Sequence, residues 1–234
     1  WQTRNTNIDL TMTMNAGLVT AVGIAPFEAS HVGRTLRIFD GVWKQHTITA
    51  VNSSSEVTVY PARTLPNTDI WQLGAFWTGN YPSQVVFHED RLVFAATPAE
   101  PQTFWTSQVG DYSNFANTEA DGSVIASNAI TGTLNDYQVN KIHWMTSLDS
   151  NLLMGTESGI WVVRSANAEG LAPDNVQARR QHATASADAQ AVLISDALMF
   201  LNRAQRKLYS LRLDNGLDHY TANDETLLAD HMLY

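Results

Sequence analysis

Along most of the chain, apolar residues fall in short stretches broken by Asn, Asp, Gly, Ser and Pro, and the long 3.6-residue period of an amphipathic helix is nearly absent. Short apolar or alternating runs bounded by turn residues mark strands, so the chain is expected to be all-β. In a first zone, from about Asp9 to Leu73, Thr35–Phe39 and Val42–Val51 flank Asp40-Gly41, a dipeptide suited to the positive φ of a tight hairpin turn. Asn52-Ser53-Ser54-Ser55 then separates Val51 from Glu56–Tyr60, which makes a three-stranded meander. A meander of that size needs further strands to bury its apolar face. Asp9–Met14 and Leu18–Val22 are expected to supply them, giving a small β-barrel or sandwich over residues 9–75.

The second zone, 76–234, carries a weak internal repeat. Arg91–Thr97 is followed, after a Pro- and Glu-containing turn, by Thr103–Ser107. Asn151–Glu157 is followed after Ser158-Gly159 by Ile160–Arg164, and Ala197–Arg203 after Ala204-Gln205 by Arg206–Arg212. Each unit is an apolar strand, a polar turn and a strand with an aromatic residue near its middle. Gln84–His88, Val139–Trp144 and Ala191–Ile194 are placed to precede the hairpins as further strands. The hairpins start 60 and 46 residues apart (91 to 151, 151 to 197), against a repeat of about 40–50 residues for propeller blades. A blade buries its apolar faces by stacking on neighbours, and three are too few for a closed ring of about four to eight. The zone is therefore expected to hold about three antiparallel blades of a partial β-propeller, an ordinary β-sandwich being the alternative. The shortage of blades, with Trp1 rather than Met at the start, points to a fragment of a longer chain.

Composition narrows function more than fold. Charged residues make up 16% of the 234, against about 25% in an average soluble domain; 23 Thr and 17 Asn stand in their place. With 44% hydrophobic residues the chain is not disordered. The 14 Lys and Arg against 23 Asp and Glu give a net charge of −9, which argues against a protein that coats duplex DNA with a basic face. The absence of cysteine excludes a disulfide scaffold, a thiolate zinc site and a cysteine nucleophile, and fits a reducing compartment. No apolar run approaches the ~20 residues needed to cross a bilayer, so stable membrane insertion is not expected.

Candidate chemistry is sparse. In His88-Glu89-Asp90, alternate strand residues face opposite ways, so only His88 and Asp90 could share a metal ion. His143, His182, His219 and His231 are scattered, and no His-Glu-x-x-His occurs. Glu119-Ala120-Asp121-Gly122 and Asp214–Asp218 resemble calcium loops in part, without the spacing of an EF-hand, and turn chemistry accounts for both. There is no Gly-x-Ser-x-Gly elbow and no phosphate-cradling glycine loop. Glu157 and Asp111 sit in turn-like places where carboxylates are common, so they do not mark a glycoside-hydrolysing pair. No catalytic, cofactor-binding or metal residue is assigned, and neither enzymatic activity nor a cofactor is expected. Arg179-Arg180 and Arg203, Arg206 and Lys207 stand against a final stretch from Asp214 with five acids and no Lys or Arg. This is either a solvated face with an acidic segment or an electrostatic interface with another chain. The tryptophans lie mostly at strand centres, as core residues rather than sugar platforms.

One stretch is far more specific. Tyr81-Pro82, Phe87, Arg91-Leu92, Phe94, Pro101, Trp105, Ser107, Gly110-Asp111 and Phe115 occur in order and resemble the signature of the tail tubular protein B, or tail nozzle, family of short-tailed bacteriophages, also called stabilisation proteins. Ala96 stands where that family commonly has Gly, and Gln108 where Arg is common. Downstream, the stretch from Gln138 to Trp144, then Leu152–Trp161 with Gly155, Gly159 and Trp161, resemble the family's next strand and blade. Arg179-Arg180-Gln181 and Leu227–His231 follow in the expected order. Upstream, Phe27–Ile38 resembles the small β module of the first-catalytic-cysteine half-domain (FCCH) type. Only its scaffold is implied, since the chain has no cysteine.

The resemblance implies a structural role in a phage tail. Copies of the chain, six by analogy, would form a ring below the portal, touching the portal adaptor (tail tubular protein A) and tail fibres. Double-stranded DNA would pass through transiently and without sequence preference. The chain would reside in the virion, and in the host cytoplasm during assembly. An acidic chain with three Lys suits such a lumen, because negative walls do not grip phosphates. The alternative is a glycan-binding or glycan-cleaving propeller. It calls for exposed Trp or Tyr beside paired carboxylates, and burial of Trp105, Trp144 and Trp161 between sheets would count against it.

Overall fold

The computed structural model describes residues 12–137, 139–167, 169–214 and 219–227. The expectations for Asp9–Thr11, Gln138, Asn215–Asp218 and Leu228–His231 lie outside the described residues. Among the described residues, apart from a 3-10 turn at Ala29–His31, every regular element is a strand, arranged in one curled sheet and three four-stranded sheets. The fold is all-β, with blade-type antiparallel sheets following a small curled module. Packing divides it into two compact units, Trp1–Tyr81 with Ala116–Asn128, and Pro82–Phe115 with Ala129–Tyr234. The segment Ala116–Asn128, which the sequence pattern leaves among the blades, joins the first unit: the Trp43 N–H donates to the Ala120 carbonyl at 2.6 Å.

The first unit holds β1 (Met12–Asn15), β2 (Leu18–Ala21), β3 (Thr35–Phe39), β4 (Trp43–Ser53), β5 (Glu56–Tyr60), β6 (Leu65–Thr68) and β7 (Trp71–Leu73). They form one sheet in the order β6-β1-β2-β5-β4-β3-β7. The Asp40-Gly41 turn joins β3 to β4 as its residues predict, with Gly41 at φ 100°. β6 and β7 are strands the apolar pattern did not single out. They occupy the two sheet edges, yet only Asp69 and Ile70 separate them in sequence. Seven strands laid flat span about 29 Å at ~4.8 Å per gap, whereas three residue steps reach at most about 11 Å. The sheet must therefore curl on itself. Its concave side gathers Met12, Met14, Val19, Leu36, Ile38, Ile48, Val57, Val59, Trp71 and Leu73 into one core, alternate residues of each strand as a half-buried sheet requires.

The second unit consists of three four-stranded sheets, each an antiparallel meander in sequence order. The first is β8 (Gln84–His88), β9 (Arg91–Ala95), β10 (Thr103–Thr106) and β11 (Thr131–Thr133). The second is β12 (Ile142–Leu148), β13 (Asn151–Thr156), β14 (Ile160–Ser165) and β15 (Val176–His182). The third is β16 (Val192–Ile194), β17 (Ala197–Leu201), β18 (Leu208–Asp214) and β19 (His219–Asp224). The three hairpins fall where the sequence places them, and β8 matches its expected strand at both ends, but β12 begins at Ile142 rather than Val139 and runs on to Leu148, and the third hairpin's turn is longer, with β18 beginning at Leu208 rather than Arg206. The fourth strand of each blade is new.

The blades stack through two cores. Leu152, Met154, Trp161 and Val163 of the second blade meet Val93, Ala95 and Phe104 of the first. Leu153, Ile160, Val162 and Trp144 meet Leu198, Phe200, Leu211 and Tyr220 of the third. Successive residues of β13 and β14 thus enter opposite cores. A strand buried on both faces has no place for polar alternation, which is why Leu152-Leu153-Met154 and Ile160-Trp161-Val162-Val163 read as unbroken apolar runs.

Candidate functional site

The central signature closes one end of the first blade. Glu89 and Asp90 join β8 to β9, with φ of 46° and 57°, as a two-residue hairpin turn of the primed type requires. His88-Glu89-Asp90 is therefore a strand end and a turn, and its side chains part. His88 is buried, with Nδ1 2.8 Å from Ser147 Oγ; burial pushes its pKa down against the opposing pull of Glu89. Asp90 accepts from the Tyr112 hydroxyl at 2.6 Å, a bond that raises the tyrosine's pKa. Glu89 Oε2 accepts from the Leu171 N–H at 2.6 Å.

Arg91 is the centre of this knot. It is 1% exposed, and its Nη1 and Nη2 donate to the carbonyls of Ser107 at 2.9 Å and Leu171 at 3.1 Å. A buried guanidinium is tolerable only where acceptors take its donors; desolvation still lowers its pKa. Ser107 Oγ accepts from the Leu92 N–H at 3.0 Å and donates to the Gln108 carbonyl at 2.8 Å. The Gly110 N–H donates to the Asp90 carbonyl at 2.9 Å, and Asp111 bridges to Gln108 while its Oδ1 accepts from the Ser113 hydroxyl. Arg91, Leu92, Ser107, Gly110 and Asp111 are thus brought together around one turn. Phe94 stacks on Phe115 at 5.4 Å, and Phe87 meets Tyr112 edge-on at 5.2 Å. The Pro101 carbonyl accepts from the Ile142 N–H at 3.0 Å, joining the first blade to the second. Tyr81 is exposed where the first unit's main stretch ends, and Pro82, half-buried, opens the second unit. Ala96 has φ 60°, in the left-handed region that glycine occupies without strain.

The downstream motif is also architectural. Trp144 pairs in register with Gly155. A Cβ on Gly159 would fall 2.3 Å from the His182 carbonyl. Between them, Thr156 Oγ1 donates to the Gly159 carbonyl at 2.7 Å. Thr97 Oγ1 accepts from the Glu100 N–H in the first blade, and Asn202 Oδ1 accepts from the Arg206 and Lys207 N–H groups in the third. The three blades therefore close the same turn with a polar side chain at the same place, an internal likeness that Thr/Asn variation hides from the sequence. Trp105, Trp144 and Trp161 are all buried, so none can serve as a sugar platform.

The basic residues do not act alike. Arg180 bonds to the Ser158 carbonyl and Lys207 to Asp224 at 2.7 Å. Arg179 instead lines a polar cleft of about 600 Å³ with Arg164, Glu89, Asn151, Asn167 and Gln177. Arg164 carried no motif and had no signal in the sequence; it enters because it pairs with Gln177, two residue pairs along β14 and β15 from the Val162–Arg179 pair. Glu119 and Asp121 close turns, accepting from Asn128 and Ser123. Among the described residues no three His, Asp or Glu side chains gather as a metal ion would need. No helix among them is long and apolar enough to cross a membrane.

No protein family's sequence profile matches the chain, and no curated protein does. Solved structures with partial likeness include human WBSCR16, with a TM-score of 0.37 and 13% identity over 82% of this chain and 52% of that one. Hsv2 of Kluyveromyces lactis has a TM-score of 0.28 and 10% identity over 92% of this chain and 71% of that one. The chain spans about half the length of the first of these. At scores this low neither likeness bears on what the protein does.

Proposed function

We propose that the chain is a structural component of a bacteriophage tail of the nozzle type, part of the channel through which DNA leaves the particle. The observation that carries this reading is the role of the ordered signature from Tyr81 to Phe115. Its polar members hold a turn, a loop and two blades together, Arg91 bridging the Ser107 and Leu171 carbonyls. A catalytic signature would aim reactive atoms into a pocket; this one spends them on backbone, as a scaffold does. Burial of Trp105, Trp144 and Trp161 supports the same reading over a glycan-binding propeller.

In this role the partners are further copies of the chain in a ring, the portal adaptor and tail fibres, and the place of work is the virion after assembly in host cytoplasm. DNA passes transiently, repelled rather than held by an acidic wall. The deciding experiment is labelling of intact phage particles with gold-tagged antibody against the chain, imaged by electron microscopy. Label confined to the tail is expected. Unlabelled particles from a lysate that contains the chain would overturn the proposal. Acid-to-Lys changes on the lumen wall are expected to slow genome release.

A further inference from the structure

The face that the second blade turns toward the third changes character along its length. Leu153 and Val162, cross-strand partners on β13 and β14, enter the dry core between the two blades. Alternate residues of a strand share a face, so Asn151 and Arg164 continue that face toward the β12–β13 turn. Gln177 pairs with Arg164 and Arg179 with Val162, which puts both on the same face. Here the space is not filled by apolar side chains. It opens into the cleft of about 600 Å³, to which Ser150 adds a hydroxyl, Glu89 a carboxylate from the first blade and Leu213 an apolar contact from the third. That volume falls within the about 300–1,000 Å³ usual for small-molecule sites.

The wall of the cleft is held by its own bonds. Asn175 Nδ2 donates to Asn167 Oδ1 and to the Gly170 carbonyl, both at 2.9 Å, while its Oδ1 accepts from the Ala172 N–H at 2.8 Å. Asn151 Nδ2 donates to the Tyr220 hydroxyl at 3.2 Å. The side chains of Arg179, Gln177 and Ser150 make no hydrogen bond or ion pair among the described residues. Arg164 is half-buried and already engaged within the protein. It and Arg179 are diagonal neighbours across β14 and β15, a spacing of about 7–8 Å. Two guanidinium groups only donate, and side by side before an open cleft they fit an acceptor shared between them.

The surrounding charge limits what that acceptor can be. Glu89 lines the cleft, its Oε2 held by the Leu171 N–H. Asp149, Glu169 and Asp174 are exposed on the flanking loops, and Asp214 follows Leu213 in the chain. So much acid disfavours a phosphate group, which carries about two negative charges, and a nucleic-acid backbone more strongly still. A single carboxylate accepts forked bonds at the cost of one charge. Gln177, Ser150 and Asn151 offer donors and acceptors together, the match for hydroxyl groups. We infer that the cleft binds a polyhydroxylated carboxylate, a sugar acid of the uronate type, with Arg179 and Arg164 on the carboxylate and Gln177 on a ring hydroxyl. With Trp105, Trp144 and Trp161 buried, recognition works through hydrogen bonds and not through ring stacking. The inference rests on the cleft alone and stands apart from the tail reading.

The test is isothermal titration calorimetry on the whole chain with D-glucuronate, D-glucose and glucose 6-phosphate. Glucuronate is expected to bind at about millimolar strength, at least about tenfold more tightly than either of the others. Arg179→Gln is expected to weaken glucuronate about tenfold without moving the thermal unfolding midpoint, because Arg179 is exposed. Gln177→Ala should weaken it as well. Arg203→Gln, exposed and outside the cleft, makes the same change in charge as Arg179→Gln and should leave binding as it was. Aldobiouronate, a disaccharide with one glucuronate, separates two sources of the same chemistry. Tighter binding than the monomer supports an acidic residue of a glycan, and equal or weaker binding supports a free sugar acid. Glucuronate that binds no better than glucose overturns the inference. So does glucose 6-phosphate that binds better than glucuronate, or an Arg179→Gln variant that binds as the wild type does.

Discussion

Trp144 packs directly over Gly155, its register partner across β12 and β13, so closely that a Cβ at 155 would fall 2.0 Å from the indole Cε2. Phe104 and Gly132 repeat the arrangement across β10 and β11, with a Cβ falling 2.3 Å from the ring. A large ring on a crowded blade face finds room where its cross-strand neighbour has no side chain. Gly155→Ala is therefore expected to cost about 3 kcal/mol, and Trp144→Ala about 3–5 kcal/mol. The double variant should lose clearly less than the sum, because the methyl introduced by Gly155→Ala fits the space the indole leaves. Urea unfolding of the four proteins checks this; strict additivity would show that the pair is uncoupled.

Arg91 joins the first blade's loop to the second blade through the Ser107 and Leu171 carbonyls. Arg91→Met leaves two acceptors without their donor and is expected to cost about 3 kcal/mol. Hydrogen exchange should locate the effect: the Leu171 amide, bonded to Glu89, loses protection before the β13–β14 ladder does. Equal loss throughout would mean that Arg91 supports the core generally rather than this junction.

Thr156 and Gly159 shape the β13–β14 turn. Thr156→Val removes the hydroxyl that donates to the Gly159 carbonyl, at a cost of about 1–3 kcal/mol, while Thr156→Ser keeps most of the stability. Gly159→Ala drives a methyl toward the His182 carbonyl, and is expected to unpair the end of β14 from β15. Thermal unfolding ranks the three variants, and a Thr156→Ser as weak as Thr156→Val would dismiss the hydroxyl's part.

His88 and His46 are both buried, and burial is the chief cause that lowers the pKa of each below its ordinary value of 6.5. The unfolded chain then takes up protons first as pH falls. Their contribution is fully present above about pH 6.5 and is lost as pH falls from there through the lowered folded-state pKa values. His88→Gln, which can still meet Ser147, is expected to flatten the stability profile between about pH 7 and 5. A profile as steep as the wild type's would exclude His88 from the acid response.

The parts legible in the chain are those set by nearest neighbours. Asp40-Gly41 specifies a turn because glycine reaches a φ of 100° without strain, and Gln84–His88 matches β8 at both ends because its composition suits a pleated strand. The apolar runs of β13 and β14 mark strands, while their burial on both faces is seen only once the blades stack. What escaped is what distant residues recruit. β15 reads Val-Gln-Ala-Arg-Arg-Gln-His and β11 Thr-Gly-Thr; each pairs on one side only, and neither needs the pattern that betrays a strand. The curl of the first sheet follows from β6 and β7 standing at opposite edges, which no local period encodes. Ala116–Asn128 joins a unit that precedes it, and Arg91 finds its second acceptor eighty residues away at Leu171. Local propensity acts through the few dihedral angles around a residue. These partnerships exist only once loops have closed and buried donors must find whatever acceptor lies within reach.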